Sequence, residues 1–594
     1  MQVLIDFCGP NTSQAPLRCA FGAPEQILVA HTHAQVKPVL DAVDALSQQG
    51  CWCVGYLRYE AAPAFDAALA VHDTPGPLAW FGVYTEALPW PDRTDNTDVE
   101  TILPVTRVQW HGTLSRADFD SNMAHIHSAI AAGEYYQVNY TAPLAGEFSG
   151  SARALFARLH QAQPNSYAAC IDTGFEQVLS VSPELFFDWQ PGQAGQSGHI
   201  LTRPMKGTAP RGGTATEDQA LARALVASPK ERAENVMIVD LLRNDVSRIA
   251  DPHSVKVPAL FTVQTLPTVF QMVSDVTAST RPGTTLTDVF SALFPCGSIT
   301  GAPKVQAMRS IKALEPDARG IYCGAIGVVR PGGHATFNVA IRTVTLRGNA
   351  AVCGIGSGIT FDATAGAEWQ EWQHKRSFLE RASEAFDLLE TLRLGNGIYT
   401  NLIAHLSRLS RTAMHFGFPF DEARVRHTLT TLAADERASV TTPPDTVWRV
   451  RLLLAANGLP LAEKFILNGP LAPVNIGLAA TPFESAHSEF TRFKTTRRSH
   501  YDAFAPADPA VFDTLLYNAA GELTECTRGN IALLLDDRWV TPPLHCGLLE
   551  GVGREMYLRE GRLTEAVVRV DDLPRVQALA FVNSLRGWIH AKLV

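Results

Sequence analysis

Residues 51–59 read CWCVGYLRY, a run with a single charged side chain, Arg58. A short apolar run of this kind is a strand buried on both faces. IYCGAIGVV (321–329) and NVAIRTVTL (338–346) read the same way, and up to about residue 375 such runs alternate with helical ones. The alternation predicts an α+β domain. At residue 386 the pattern restarts with FDLLETLRLGNGIY, a β-like run ending in a Gly-Asn-Gly turn, which opens a second domain. The junction RSFLERASEAF (376–386) is helical in pattern rather than rich in Pro and Gly, so a tight connection is expected. The division this gives is 1–380 and 386–594.

A chain of 594 residues is longer than one hydrophobic core supports, which also points to two or three domains. Its 46% hydrophobic, 18% charged and 8% aromatic residues are those of an ordinary globular protein. A net charge of −9 with no basic stretch argues against nucleic acid and leaves small metabolites as partners. MQVLIDFCGP lacks the basic start and apolar run of a signal peptide, and no segment approaches the roughly 18 apolar residues of a membrane span. A cytoplasmic protein with no membrane partner is expected. The ten cysteines show neither zinc spacing nor a disulfide framework and read as reduced core residues.

RPMKGTAPRGG (203–213) places Lys206 between Pro204 and Gly207. A lysine that serves solubility needs only a helix face, so this setting suggests an amine held in position; the ordinary alternative is a solvated lysine. In KERAENVMIVDLLRNDVSRIA (230–250), Ala233, Val236, Met237 and Leu241 mark one apolar face, and Glu234, Ile238 and Leu242 an adjoining row. A carboxylate on such a row needs a proton, a cation or a metal, and an internal ion pair to Arg232 or Arg243 is the alternative. In AGAEWQEWQHKRSFL, Glu368, Glu371 and Lys375 share a face at steps of three and four, a pattern that also suits a surface ion pair. Two helices that each present a carboxylate suit Mg²⁺, which takes few protein oxygens and completes its shell with substrate and water. FPCGSITGAPK (294–304) and CGIGSGIT (353–360) supply glycine-rich backbone for an anion, and Arg342 interrupts an apolar run where it would fork onto a carboxylate. Together they describe a pocket for a small polycarboxylate.

SPE (182–184), PMKGT (204–208), KERAENVMIVDLLRND (230–245), GSITGAPK (297–304), AIRT (340–343) and AEWQE (367–371) stand in the order found in chorismate-utilising enzymes. GYLRYEAAPAF (55–65) and GEYYQVNYT (133–141) are similar to that family too, so the resemblance covers nearly all of residues 1–376. It implies antiparallel sheets flanked by helices. Anthranilate synthases have alanine where Lys206 stands, and isochorismate and salicylate synthases place a base lysine elsewhere. The chain thus resembles the aminodeoxychorismate synthase component I branch. The resemblance implies that Lys206 adds at carbon 2 of chorismate as the carbon 4 hydroxyl leaves, after which ammonia adds at carbon 4 and expels the lysine. It makes Glu184 the general acid, Glu234 and Glu371 the Mg²⁺ ligands with Glu368 close by, and Arg342, Tyr322, Lys375, Thr300 and the Gly356, Ser357 and Gly358 segment the holders of substrate. Two positions depart from the family: Gln271 stands where many relatives have histidine, and Met205 replaces isoleucine. No Cys/His/Glu glutaminase signature is visible, so ammonia is expected from a separate glutamine amidotransferase subunit or from free ammonium.

In the second domain, RFKTTRRSHYDAF (492–504) contains Lys494, GELTECTRGNIALLL (521–535) puts Glu525 before a Thr-Arg-Gly-Asn turn, and LLEGVGREMYL (548–558) starts a helix at Gly551 and Val552. An amine that condenses with an aldehyde, an acid that keeps a pyridine nitrogen protonated and a helix N-terminus for phosphate are what pyridoxal phosphate requires. Order and spacing resemble the α/β class IV aminotransferase fold, including its D-amino-acid aminotransferase-like members, with Arg408 of AHLSRL (404–409) as a phosphate ligand. Within that fold the resemblance is to aminodeoxychorismate lyase, which releases pyruvate to leave 4-aminobenzoate, with Lys494 moving the ring proton. The alternatives are an anthranilate synthase-like first domain, and a second domain acting as an amino acid aminotransferase or as a non-catalytic partner module. Any homodimer contact is expected through the second domain.

Overall fold

The computed structural model describes residues 3–9, 15–91, 106–193, 195–211, 215–265, 269–438, 446–469 and 473–594. Gly212 and Gly213 of the lysine-bearing segment lie outside them. The chain divides into two compact units, Met1–Ala385 and Phe386–Val594. The helix Ala365–Ser383 carries the first unit past residue 380.

The first unit is built on two large sheets, and every strand pair described in them is antiparallel. The CWCVGYLRY run forms the strand Trp52–Leu57, paired with Ala325–Val329 on one side and Ala79–Tyr84 on the other. Its alternation sorts the core. Val54 and Tyr56 pack with Val3, Ile5 and Phe21 of the other sheet, whereas Cys53 and Leu57 face helices that contribute Leu40, Val43, Ile238 and Phe290. The other sheet turns its second face to helices bearing Phe119, Leu155 and Phe378. The result is two sheets packed face to face and flanked by helices, the architecture the sequence predicts.

Local sequence explains where its helices begin. Ser228 caps the helix Pro229–Ser247 by accepting from the Glu231 amide, with Pro229 opening its first turn, and Thr364 caps Ala365–Ser383. The buried positions of Pro229–Ser247 are Asn235, Ile238, Val239, Leu242, Asp245 and Val246. The face expected from Ala233, Val236 and Met237 is therefore displaced: Val236 is 39% exposed, and Glu234 lies at the margin of the buried stripe.

The second unit holds a four-stranded antiparallel sheet, with Leu388–Gly395 and Val447–Leu454 at its centre, and an eight-stranded mixed sheet. In the mixed sheet Val474–Leu478 runs parallel to both Val511–Tyr517 and Gly587–Leu593. Leu388, Leu392 and Leu394 pack into a core with Leu406, Leu409 and Phe416 of the helix Leu402–Phe416. Glu390 sits on that same buried row, a carboxylate where the period demands an apolar residue. No helix among the described residues is long and apolar enough to cross a membrane, and the ten cysteines are free thiols.

Candidate active sites

Lys206 stands on the strand Met205–Pro210, which pairs with Val269–Thr280 through a register shift between Met205 and Thr208. Gly207 takes φ 96°, a left-handed conformation that glycine adopts without strain. Such an irregularity re-aims a side chain out of the ladder. Lys206 Nζ lies 3.9 Å from Glu234 Oε2, and so near Gly358 that a Cβ there would stand 2.6 Å from it. The same Cβ would stand 2.4 Å from Nε2 of Gln137. Gln137 is fully buried, and neither its amide nitrogen nor its oxygen has a hydrogen-bond partner among the described residues. A buried amide left unsatisfied marks a place where a polar ligand belongs.

Carboxylates surround this amine. Glu184 is buried, and Ser298 Oγ donates to its Oε1 at 2.7 Å. Burial pushes the Glu184 carboxyl up to about 7, against the Ser298 hydrogen bond and the charges of Lys206 and Lys375. Glu371 lies 2.6 Å from Lys375, whose Nζ also donates to the Gly356 carbonyl at 2.9 Å. Against the upward push of burial, Lys375, Lys206 and Lys230 hold Glu371 below the ordinary carboxylate range. Glu231 is pushed up, by burial first and then by Glu234. Sequence reading passed over Glu231, although it stands one turn before Glu234 on the same helix face. Glu368 is buried and accepts from Ser357 Oγ at 2.5 Å, and Ser357 in turn accepts from Trp372 Nε1 at 2.9 Å.

Among the described residues no three acidic, histidine or cysteine side chains converge as a ready-made metal cage. Glu234 and Glu371, both within the influence of Lys206, fit the sparse protein share of a Mg²⁺ shell completed by substrate and water.

The remaining residues expected to hold substrate are distributed more widely. The predicted strand NVAIRTVTL divides into Ala335–Val339 and Thr343–Arg347, with Arg342 between them at φ 49°. Its guanidinium stacks over Phe378 at 5.8 Å, and burial, then the charge of Arg381, pulls it down to about 10. A buried guanidinium with no carboxylate at ion-pair distance among the described residues fits an anionic ligand. Tyr322 lays its ring over Gly354 and lines a cavity of about 450 Å³ whose wall includes none of Lys206, Glu184, Glu234 or Glu371. The Thr300 hydroxyl is committed to the carbonyls of Cys296 and Gly297, at 3.1 and 3.3 Å, and braces its own turn.

The glycine-rich run at 353–360 is a strand rather than a loop. Ala350–Ile359 pairs with Gln137–Ser149 along its whole length, but with Thr343–Arg347 only as far as Cys353. Beyond Cys353 that edge has no strand partner among the described residues, and the Gly356 carbonyl in this stretch accepts from Lys375 instead. Gly354, Gly356 and Gly358 share one face; a Cβ at Gly354 would stand 2.2 Å from the Tyr322 ring and one at Gly356 2.5 Å from Thr141 Cγ2. The glycines of GSITGAPK serve packing: a Cβ on Gly297 would stand 1.6 Å from Leu241 Cδ2, and one on Gly301 2.2 Å from the Gln137 carbonyl.

In the second unit, Lys494, Glu525, Arg408, Gly551 and Val552 line one cavity of about 640 Å³. Lys494 is pinned to the start of Leu388–Gly395, its carbonyl accepting from the Leu389 amide at 3.0 Å. Burial, followed by the charges of Arg498 and Arg408, pulls its amine down to about 7 against Glu390 and Glu525. Glu525 accepts from Tyr501 at 2.7 Å and from the Leu549 amide at 3.1 Å, and burial pushes it up to about 7. Arg408 donates to both oxygens of Glu390, at 2.8 and 2.6 Å, and to the Glu550 carbonyl at 3.0 Å. His405 meets the same Glu390 at 2.6 Å. Burial alone would raise Glu390, but Arg408 and His405 hold it down at about 2. Glu390 and His405, absent from the sequence reading, are thus the brace that fixes Arg408; the charge on an apolar strand row was the available signal. Gly551 caps the helix Val552–Arg559, and a Cβ there would stand 1.8 Å from Asn530 Oδ1.

A cavity of this size with an amine pulled down to about 7, one buried acid and a helix N-terminus beside an arginine fits pyridoxal phosphate.

Residues 11–381 match the family model for chorismate binding enzymes. The chain belongs to that family. Residues 387–594 match the model for class IV aminotransferases, and the second unit is a domain of that type. Aminodeoxychorismate synthase component 1 of Salmonella typhimurium is 40% identical over 262 residues, 44% of this chain and 56% of that protein. The match thus spans a little over half the length of that relative. Anthranilate synthase component 1 of Methanothermobacter thermautotrophicus is 31% identical over 358 residues, covering 56% of this chain and 75% of its own. Among solved structures, anthranilate synthase component I from Streptococcus pneumoniae superposes with a TM-score of 0.50 at 24% identity, over 62% of this chain and 95% of that one. That likeness speaks for the fold of the chorismate-binding unit alone.

Proposed function

We propose that the chain makes 4-aminobenzoate from chorismate in the cytoplasm, in two steps on the folate route: amination to 4-amino-4-deoxychorismate in the first unit, then loss of pyruvate in the second. The observation that carries the first step is Lys206, re-aimed by the strand irregularity into a ring of carboxylates and given room by Gly358. An alanine there, as anthranilate synthases have, offers no nucleophile.

Lys206 Nζ bonds to carbon 2 as the ring double bonds shift and the carbon 4 hydroxyl departs. Glu184 supplies the proton that lets this oxygen leave as water, and a carboxyl raised to about 7 keeps that proton near neutral pH. Ammonia then bonds to carbon 4, the double bonds shift back and the lysine is released. Glu234 and Glu371 would hold Mg²⁺ against the ring carboxylate, and Arg342 would take the other. Ammonia comes from a separate glutamine amidotransferase, a reading supported by the name component 1 of the relatives, or from free ammonium.

In the second unit, pyridoxal phosphate would supply an aldehyde for the substrate amine and an electron sink for the carbanion that forms when the proton beside it is lost. Lys494 moves that proton, for which an amine near 7 is suited. Glu525, oriented by Tyr501 and the Leu549 amide, would keep a proton on the cofactor ring nitrogen. Arg408 and the helix start at Gly551 and Val552 would hold the phosphate.

Mass spectrometry of products from chorismate and ammonium, with Mg²⁺ and pyridoxal phosphate, tests both steps in one tube. We expect 4-aminobenzoate and pyruvate in equal amounts. Anthranilate as the aromatic product would overturn the reading of the first unit, and accumulation of aminodeoxychorismate that of the second.

A further inference from the structure

The cavity around Lys494 carries more positive charge than one phosphate needs. Six arginines and one lysine line it, against a single carboxylate, Glu525. Arg408, Arg451 and Arg528 are answered by Glu390, Glu463 and Asp513, at 2.6, 3.7 and 3.4 Å. Arg449, Arg498 and Arg586 have no carboxylate at ion-pair distance among the described residues. They stand at two places. Arg498 belongs to the Lys494 wall, donating to the Thr527 carbonyl with its guanidinium over the Tyr501 ring at 4.5 Å. Arg449 and Arg586 belong to another: Arg449 lies over Phe465 at 5.0 Å, and Arg586 donates to the Asn468 carbonyl at 2.8 Å.

Two features set this second group apart, although Arg449 and Arg528 are exposed. Arg449 faces Arg393 directly across the strand pair, and like charges so opposed are destabilising. Burial and then the charges of Arg528 and Arg449 pull the Arg586 guanidinium down from its ordinary value, so Arg586 sits in the field of both. Arg528 is held beside them over Phe512 at 4.9 Å. Side chains anchored by aromatic faces and carbonyls, yet mutually repelling, fit a ligand that brings the missing negative charge.

We infer that Arg449 and Arg586, with Arg528 alongside, form a subsite for a carboxylate remote from the reacting amine, so that the second unit selects dicarboxylic over monocarboxylic substrates. Arg498 takes the other carboxylate. This rests on the reading that the cavity receives pyridoxal phosphate and an amine substrate, and it adds the feature that sets the substrate class.

The test titrates the full chain, loaded with pyridoxal phosphate and without Mg²⁺, with unreactive isophthalate and with benzoate. Perturbation of the cofactor's absorbance band reports on this cavity alone, and calorimetry follows the same titrations independently of the cofactor. Isophthalate is expected to bind at least about tenfold more tightly than benzoate, and Arg449→Gln or Arg586→Gln to weaken isophthalate about tenfold while changing benzoate less than about twofold. Arg498→Gln should weaken both. An undisturbed cofactor band in the Arg449 and Arg586 variants shows that the fold is intact. Equal affinity for the two acids, or equal weakening of both in those variants, would overturn the subsite. A chain that takes up no cofactor would instead remove the cofactor reading, and the calorimetric difference between unmodified and substituted chains would still decide the subsite.

Discussion

Lys206 and Lys494 are both amines delivered by short extended segments, yet their surroundings differ in kind. Lys206 has a carboxylate at 3.9 Å and further acids about it. Lys494 is half-buried among cations, with no carboxylate at ion-pair distance among the described residues, and its amine is pulled down to about 7. On the proposed reading, an amine that meets a transient allylic electrophile beside a metal is kept among acids that would also serve that metal. On the same reading, an amine that rests on a cofactor aldehyde has its charge disfavoured by burial and by neighbouring guanidinium groups. The contrast sets two different electrostatic settings for the two proposed nucleophiles within one chain.

The comparison breaks most sharply at Lys494. Lys494→Ala should lower 4-aminobenzoate formation by about 10³-fold or more, with aminodeoxychorismate accumulating from chorismate and ammonium. Added active lyase should restore the aromatic product. Formation of 4-aminobenzoate at the unmodified rate would show that the Lys494 amine is not the catalytic one.

Lys206→Ala is its mirror image. Amination at carbon 4 should fall by about 10³-fold, while the second unit still converts supplied aminodeoxychorismate at its normal rate. Undiminished aminodeoxychorismate formation, followed by chromatography, would sink the covalent role.

A smaller effect is expected from Glu234→Gln and Glu371→Gln, each lowering amination by about 10- to 100-fold and shifting the Mg²⁺ concentration needed for half-maximal rate upward. The second unit should be untouched. An unchanged Mg²⁺ response in both variants would remove the acid ring around Lys206 from metal binding.

The mildest test is pH. Glu184 is raised to about 7, so its proton is present below that value and lost above it. Amination should therefore decline about tenfold for each unit of pH above 7, and Glu184→Gln should flatten that limb. A rate that stays level to pH 9 would assign the acid elsewhere.

The sequence carried much of this because the chemistry is local. PMKGT puts a lysine next to the one residue type that tolerates φ 96°, and the residues proposed to hold the class IV cofactor include Gly551 and Val552 at a helix start, where a turn announces them. What sequence concealed lies across the chain. Gln137 looks like any polar residue on a strand until Gly358 and Lys206 are brought against it from 221 and 69 residues away. Glu390 reads as a flaw in an apolar row until Arg408 and His405 close on it. GIGSG read only as glycine-rich backbone for an anion, and it is pairing with Gln137–Ser149 that makes it a strand. NVAIRTVTL suggested an unbroken strand because no residue in it signals the left-handed turn at Arg342.

Gly354, Gly356 and Gly358 leave one side of a strand bare, and each faces a different neighbour: Tyr322, Thr141 and the Lys206 amine with Gln137. Successive positions on such a face are about 7 Å apart. The strand is therefore a graduated scale laid along the first unit's interior. One methyl group, moved from mark to mark by alanine substitution, would read out how far from Lys206 a disturbance still reaches the chemistry, with the protein supplying its own measuring rod.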